Sequence, residues 1–304
     1  MENYDNTPQN NAPAVTPGLA GLLGLIVVLT LTFIGGALLT LIIVGTDFNS
    51  ADGTSLKLIN SAAQILFMLL PALLLGRAIY YDLTKLIRAR KPRVKDLFIF
   101  STGMIVLIFL IQPYTYLQTY IFNHLAEGSA FLGEVKALLD QMNKVVEKSF
   151  KAILGYKNAF DLILSFVAIT FVPAICEEVF FRGYLQRSFE LKWTPFKGAL
   201  ITAVIFGVFH LNFYGLLPLI AIGLFLGYSL YKTNSIVVPM VLHFLNNALS
   251  FAAYMIYGEE ELTISQGIDP EILGSQIFMF VLLLSLFFLF IFFVNKHYKN
   301  TTTV

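Results

Sequence analysis

The run Cys176-Glu177-Glu178-Val179-Phe180-Phe181-Arg182 sets two adjacent carboxylates and a guanidinium inside an otherwise apolar stretch. A charge at bilayer depth costs at least ~3 kcal/mol on insertion scales, so it persists where it is paired or does chemistry. Two later apolar stretches supply matching polar groups. One carries His210, four residues after Phe206; the other carries His243, followed four residues later by Asn247. Two carboxylates, two imidazoles and an amide from three apolar helices suit hydrolysis. A carboxylate can take a proton from water, and nitrogen donors can hold the oxygen anion that forms.

Helical geometry divides these roles. At about 100° per residue, Glu178 and Arg182 stand about 40° apart, close enough for an i,i+4 ion pair. Glu177 lies about 140° from Arg182 and has no local cation, which leaves it as the general base. His243 and Asn247 share one helix face and can both donate to one oxygen, the pattern of an oxyanion hole. Asn246 points about 100° away and reads as a packing amide. Phe206 lies one turn before His210 and walls that imidazole from lipid. Cys176 reads as a buried apolar bystander rather than a thiol nucleophile. His124 and His297 fall at span ends and read as interfacial. Two alternatives use the same residues: Glu177, His210 and His243 as ligands of zinc, or the three as a proton relay in a transporter. Against the transporter, the chain shows no repeated halves.

The elements that must position these groups are membrane helices. The 304 residues are 57% hydrophobic and 13% charged, with 29 Phe and a single Trp, and the mean hydropathy is +0.75. That excludes an ordinary soluble domain. A net charge of +1 gives no nucleic-acid footprint,. One cysteine excludes an intrachain disulfide and a cysteine-based metal cluster,. Apolar runs predict eight spans, at roughly 19–44, 58–80, 97–122, 160–189, 197–213, 215–231, 236–256 and 275–294. The fifth and sixth are short, and a re-entrant hairpin is their competitor. The expected fold is therefore an all-α membrane protein, an eight-helix bundle with a polar catalytic cavity open to the cytoplasmic side. Residues 1–17 read as a disordered cytoplasmic tail rather than a cleavable signal. Residues 18–159 hold three spans plus an amphipathic helix at about 130–150, 160–256 the catalytic core, and 257–304 the last span and a cytoplasmic tail.

Charge placement orients the bundle. Lys85, Arg88, Arg90, Lys91, Arg93 and Lys95 follow span two and mark the cytoplasmic side. Counting outward, Arg187, Lys192, Lys197, Lys232, Lys296 and Lys299 fall on that side too, with both termini. The acidic run Glu259-Glu260-Glu261 falls outside. Five lysines of segment 123–159 conflict with the rule but are balanced by four acids. In that segment Leu132, Val135, Leu138, Leu139, Met142, Val145 and Val146 form an apolar stripe, which suggests an amphipathic helix that lies on the outer surface or caps the bundle, packed on the protein rather than sensing lipid. If the turn after span four is Lys192-Trp193-Thr194-Pro195, Glu177 and His210 both lie about 22 Å above it, and Asn247 about 17 Å.

In order, Glu177-Glu178-x-x-x-Arg182, Phe206-x-x-x-His210 and His243-x-x-x-Asn247 resemble the CPBP family of intramembrane proteases, also called Abi or CAAX-protease-like. The resemblance covers about residues 160–250. It implies an eight-helix fold and peptide-bond hydrolysis of a membrane-associated protein or peptide. Glu177 and His210 would activate water, His243 and Asn247 form the oxyanion hole, and Glu178, Arg182 and Phe206 support them. No cofactor is implied by the preferred glutamate mechanism; zinc belongs to the alternative. The expected setting is the bilayer of a cell membrane, a bacterial inner membrane, with no nucleic-acid partner. Neither the substrate nor an oligomeric state is written in the residues.

Overall fold

The computed structural model describes residues 12–46, 52–258 and 269–298, and every regular element among them is helical. The acidic run at Glu259, Lys299 and the first eleven residues of the expected tail lie outside the described residues. Seven helices are long and apolar enough to cross a membrane: α1 (Pro17–Val44), α2 (Gly53–Tyr80), α3 (Val94–Glu127), α5 (Ala159–Lys192), α7 (Leu216–Thr233), α8 (Val237–Tyr257) and α9 (Pro270–His297). α4 (Ala130–Leu154) is the amphipathic helix expected near 130–150. α6 (Pro195–Phe209) is apolar but shorter than the others. The chain is a multi-pass membrane protein, and outward-facing residues such as Ile42, Leu74 and Phe292 are the surface that lipid covers,.

Helix starts follow local chemistry. Thr194 accepts a hydrogen bond from Lys197 N and Pro195 occupies the first turn of α6, so the turn lies where charge and proline place it. Asn158 caps α5 through Asp161 N, and Ser129 caps α4 through Leu132 N. The long helices are not uniform. Leu31–Gly35, Ile65–Leu69, Val167–Phe171 and Val179–Gln186 wind as π-helix, two of these stretches flanking the carboxylates of α5. Pro71 and Pro173 each follow such a stretch, where the missing N–H interrupts the α pattern,.

Bonds between loops sort the two ends of the bundle. Ile236 N donates to Arg88 O at 3.1 Å and Ser235 to Arg90 O at 2.5 Å. Arg88 also pairs with Glu190 near the end of α5, and Tyr298, just past α9, donates to Asp96 at the start of α3. Ala14 N donates to Ile79 O, so the segments before α1 and after α9 both reach this basic end. At the opposite end Lys57, fully buried, binds Asp161 at 2.5 Å and Gly155 O at 2.6 Å.

Two apolar cores lie between. One gathers Phe180, Phe181, Tyr184, Leu185 and Phe206 against Val28 and Met68; the other gathers Phe100, Met104, Phe225, Leu226, Leu242 and Val294. The first depends on close approach of α1 to α5. Tyr184 donates to Ala20 O at 2.7 Å, and a Cβ at Gly24 would collide with the Tyr184 ring. Gly36, on the same helix, has open space around it. Gly24→Ala should therefore destabilise the protein by about 1–3 kcal/mol, while Gly36→Ala is neutral or slightly stabilising. Thermal unfolding of the two variants in one detergent checks this; equal melting temperatures would refute the α1–α5 packing.

Candidate functional site

Adjacent glutamates on α5 meet very different surroundings. Glu178 is fully buried. Its Oε1 accepts from Arg182 Nη1 at 3.1 Å and from His243 Nδ1 at 2.8 Å. The expected i,i+4 pair is therefore present, and His243 is its second partner. Arg182, also fully buried, sends Nη2 to Gly223 O at 3.1 Å and lies over the Phe206 ring at 4.4 Å. Burying a guanidinium and a carboxylate is tolerable only with this degree of pairing.

Arg182 begins a pattern that extends further along α5. One turn on, Gln186 donates to Gly227 O at 3.3 Å and to Glu190 at 2.8 Å. Gly223 and Gly227 bring the α7 backbone within reach: a Cβ at Gly227 would lie 2.6 Å from Gln186 Oε1, and one at Gly223 3.1 Å from Phe206. Small residues four apart permit such close helix crossings. Gln186 and Glu190 escaped the sequence reading, although their spacing of four from Glu178 and Arg182 was the available signal.

Glu177 is almost buried, and its Oε2 has no hydrogen-bond partner among the described residues. Two imidazoles face that oxygen: His210 Nε2 at 3.7 Å and His243 Nε2 at 3.9 Å. The other nitrogen of each ring is committed. His210 Nδ1 contacts Phe206 O at 2.7 Å. A carbonyl can only accept, so Nδ1 carries the proton and Nε2 of the neutral ring is a bare acceptor. His243 Nδ1 is held by Glu178 in the same sense. Phe206 packs against both rings, with centroids 4.5 Å from His210 and 5.9 Å from His243. It does more than wall His210 off from lipid, since its carbonyl fixes that ring's tautomer.

The structure thus brings together Glu177, Glu178, Arg182, Phe206, His210 and His243. Asn247 is placed differently. Its Nδ2 donates to Ile169 O at 3.0 Å, and its Oδ1 accepts from Asn246 at 3.1 Å. The reason lies in Pro173, which has no N–H to offer the carbonyl four residues earlier, that of Ile169. Asn247 satisfies it. Asn246, read as a packing amide, buttresses Asn247 directly. Cys176 is a buried free thiol.

His210 ends α6, and the following loop turns through Leu211 at a φ of 52°. Tyr214 anchors the loop: its hydroxyl donates to Asp140 of α4 at 2.6 Å, and its carbonyl accepts from Gln118 of α3. Partial burial raises the Asp140 carboxyl, but hydrogen bonds from Lys136 and Tyr214 hold it on balance below its ordinary value. The amphipathic helix is therefore tied to the loop that carries His210.

Residues 159–249 match the family model described as Rce1-like, type II CAAX prenyl endopeptidase Rce1-like. That segment holds all three motifs, and over it the resemblance to the CPBP, CAAX-protease-like family is borne out. A protein of Escherichia coli described as "Uncharacterized 24.3 kDa protein" is 30% identical over 121 residues, covering 38% of this chain and 53% of that protein. The chain thus spans about half the length of that relative. No solved structure matches it.

Removing Arg182 tests the pairing. Arg182→Ala leaves a buried carboxylate with one partner fewer and should cost about 3–5 kcal/mol. Glu178→Gln with Arg182→Gln should recover much of that in thermal unfolding. A single variant as stable as wild type would show that the pair does not support the fold.

Proposed function

We propose that this protein is an intramembrane endopeptidase that hydrolyses a peptide bond of a membrane-associated protein or peptide. One observation carries the reading: the unpartnered Oε2 of Glu177 faces the Nε2 atoms of His210 and His243. Glu177 Oε2 and His210 Nε2 are both acceptors and need a donor between them, and their separation of 3.7 Å leaves room for a water oxygen at about 2.8 Å from each, with one hydrogen for each. Water so held loses a proton to Glu177 while His210 orients it, the hydroxide attacks the scissile carbonyl, and Glu177 returns the proton to the leaving nitrogen as the C–N bond breaks. The matching family is described as an endopeptidase, which supports the same chemistry.

The developing oxygen anion falls to α8. His243 donates Nδ1–H to Glu178, so its Nε2 donates to that oxygen only in the imidazolium form. Asn247 spends one of its two amide hydrogens on Ile169 O and keeps the other. Glu178 and Arg182 act through His243 as positioning groups. A zinc tetrahedron would hold its ligand atoms about 3.4 Å apart, closer than Glu177 stands to either histidine. Among the described residues no group of three or more His, Cys, Asp or Glu is arranged to hold a metal ion.

Topology completes the reading. α5 ends, α6 begins and α7 ends at the basic end, so α6 must cross if α7 does. That gives eight crossings with both termini on one side. The positive-inside rule makes that side cytoplasmic.

Three sets of variants test the mechanism through cleavage of a peptide library by the purified protein. Glu177→Ala or His210→Ala should lower kcat by about 10²–10⁴ without unfolding the protein; near-normal turnover in Glu177→Ala would refute the base. Activity should survive Cys176→Ala and dialysis against a chelator, whereas loss restored by zinc would transfer Glu177, His210 and His243 to metal binding. Asn247→Ala should lower kcat by about 10²–10³ with little change in KM. Because Asn246 only supports Asn247, Asn246→Ala should have the smaller effect; the reverse order would exclude Asn247 as an oxyanion donor.

A further inference from the structure

Away from the Glu177 cluster, α3, α6, α7 and α9 enclose a cavity of about 720 Å³ that includes neither glutamate and neither histidine of the site. Its polar lining is gathered at one end: Thr194 caps α6, Tyr231 and Lys232 lie in the last turn of α7, and Asn295 in the last turn of α9. All of these are at the basic end of the bundle. From there the wall runs into the membrane over Leu107, Ala221, Phe225 and Phe287. Phe196 and Phe288 also line it while remaining 66% and 63% exposed, so the cavity opens sideways to hydrocarbon.

A pocket that is polar at the membrane surface and apolar at depth repeats the profile of one lipid leaflet. Its size falls within the range of ligand sites, about 300–1,000 Å³. Among the described residues that line it none is Asp or Glu, and the Lys232 ammonium sits over the rings of Tyr228 and Tyr231, 5.6 Å from each centroid. Tyr228 donates to Asn295 Oδ1 at 3.0 Å, which leaves the Asn295 NH2 as a donor. Lys197 and Lys296 are exposed on the adjoining helix ends. We propose that this cavity binds one anionic glycerophospholipid, with an acyl chain along Phe225 and Phe287 and the phosphate met by Lys232 and Asn295. Basic pockets between transmembrane helices recognise anionic head groups in this way.

The test uses the full chain in phosphatidylcholine nanodiscs containing a minor fraction of phosphatidylglycerol, with retained lipid counted by native mass spectrometry after mild delipidation. Wild type should keep one phosphatidylglycerol per chain, enriched about fivefold over phosphatidylcholine. Lys232→Gln should bring that enrichment close to parity. Leu224→Trp fills the cavity from α7 and should abolish retention while melting like wild type in pure phosphatidylcholine. Should the tryptophan prevent folding, Ala221→Leu obstructs the same space with less bulk and is read the same way. Equal retention of the two lipids by wild type would overturn the proposal. So would undiminished phosphatidylglycerol on a folded, cavity-filled variant.

Discussion

A single carboxylate group, that of Glu178, is shared between Arg182 and His243 where no solvent reaches it, and the centre of the bundle is built to satisfy that sharing. An ion pair removed from water calls for further hydrogen bonds, and this one finds some of them, although Glu178 Oε2 and Arg182 Nε have no partner among the described residues. Arg182 therefore reaches across to a backbone carbonyl of α7, which Gly223 and Gly227 bring close enough. Phe206 closes the other face of the guanidinium. His243 is turned so that Nδ1 meets Glu178, and its Nε2 is then obliged to look toward Glu177. Each helix of the site is placed by this one buried charge.

Much of this was readable from residue types. The i,i+4 spacing of Glu178 and Arg182 gave the pair correctly, and the three motifs picked out the helices that converge. The basic loops identified the bundle end where α2, α3, α5 and α7 meet. What could not be read was register. Val167–Phe171 and Val179–Gln186 wind with i→i+5 bonds, so a projection at 100° per residue drifts on both sides of the glutamates. The second partner of Glu178 was hidden for another reason: a contact between residues 178 and 243 is tertiary, and no periodicity encodes it. Asn247 shows the limit most plainly. Its place beside His243 on a helix wheel suggested a shared target, yet the unfilled carbonyl that holds it arises 78 residues earlier, from a proline on another helix.

The two carboxylates also illustrate how identical side chains acquire different work. Glu178 is held through Oε1 by Arg182 and His243, whereas neither oxygen of Glu177, one residue away, is bonded to a cationic side chain of its own helix, and its Oε2 faces the two imidazoles. Neighbouring positions on a helix diverge by roughly 100°, so one can anchor the helix while the next faces the space that the anchor has organised. The buried charge pair and the carboxylate proposed as the base are separated by a single peptide unit, and the rigidity of the first is lent to the second.

Contacts one turn apart on α8 have a mechanical meaning. His243 is pinned to Glu178 and Asn247 to Ile169, both on α5. One pin would be a pivot; two make a splint. α5 and α8 can neither roll nor slide against each other without breaking a buried bond, so this wall of the site behaves as a fixed jaw. His210 stands on the other side, at the C-terminal end of α6, bonded to its own helix and more exposed than either partner. That second jaw is braced from outside the site instead, through the Tyr214 hydroxyl on Asp140 of α4.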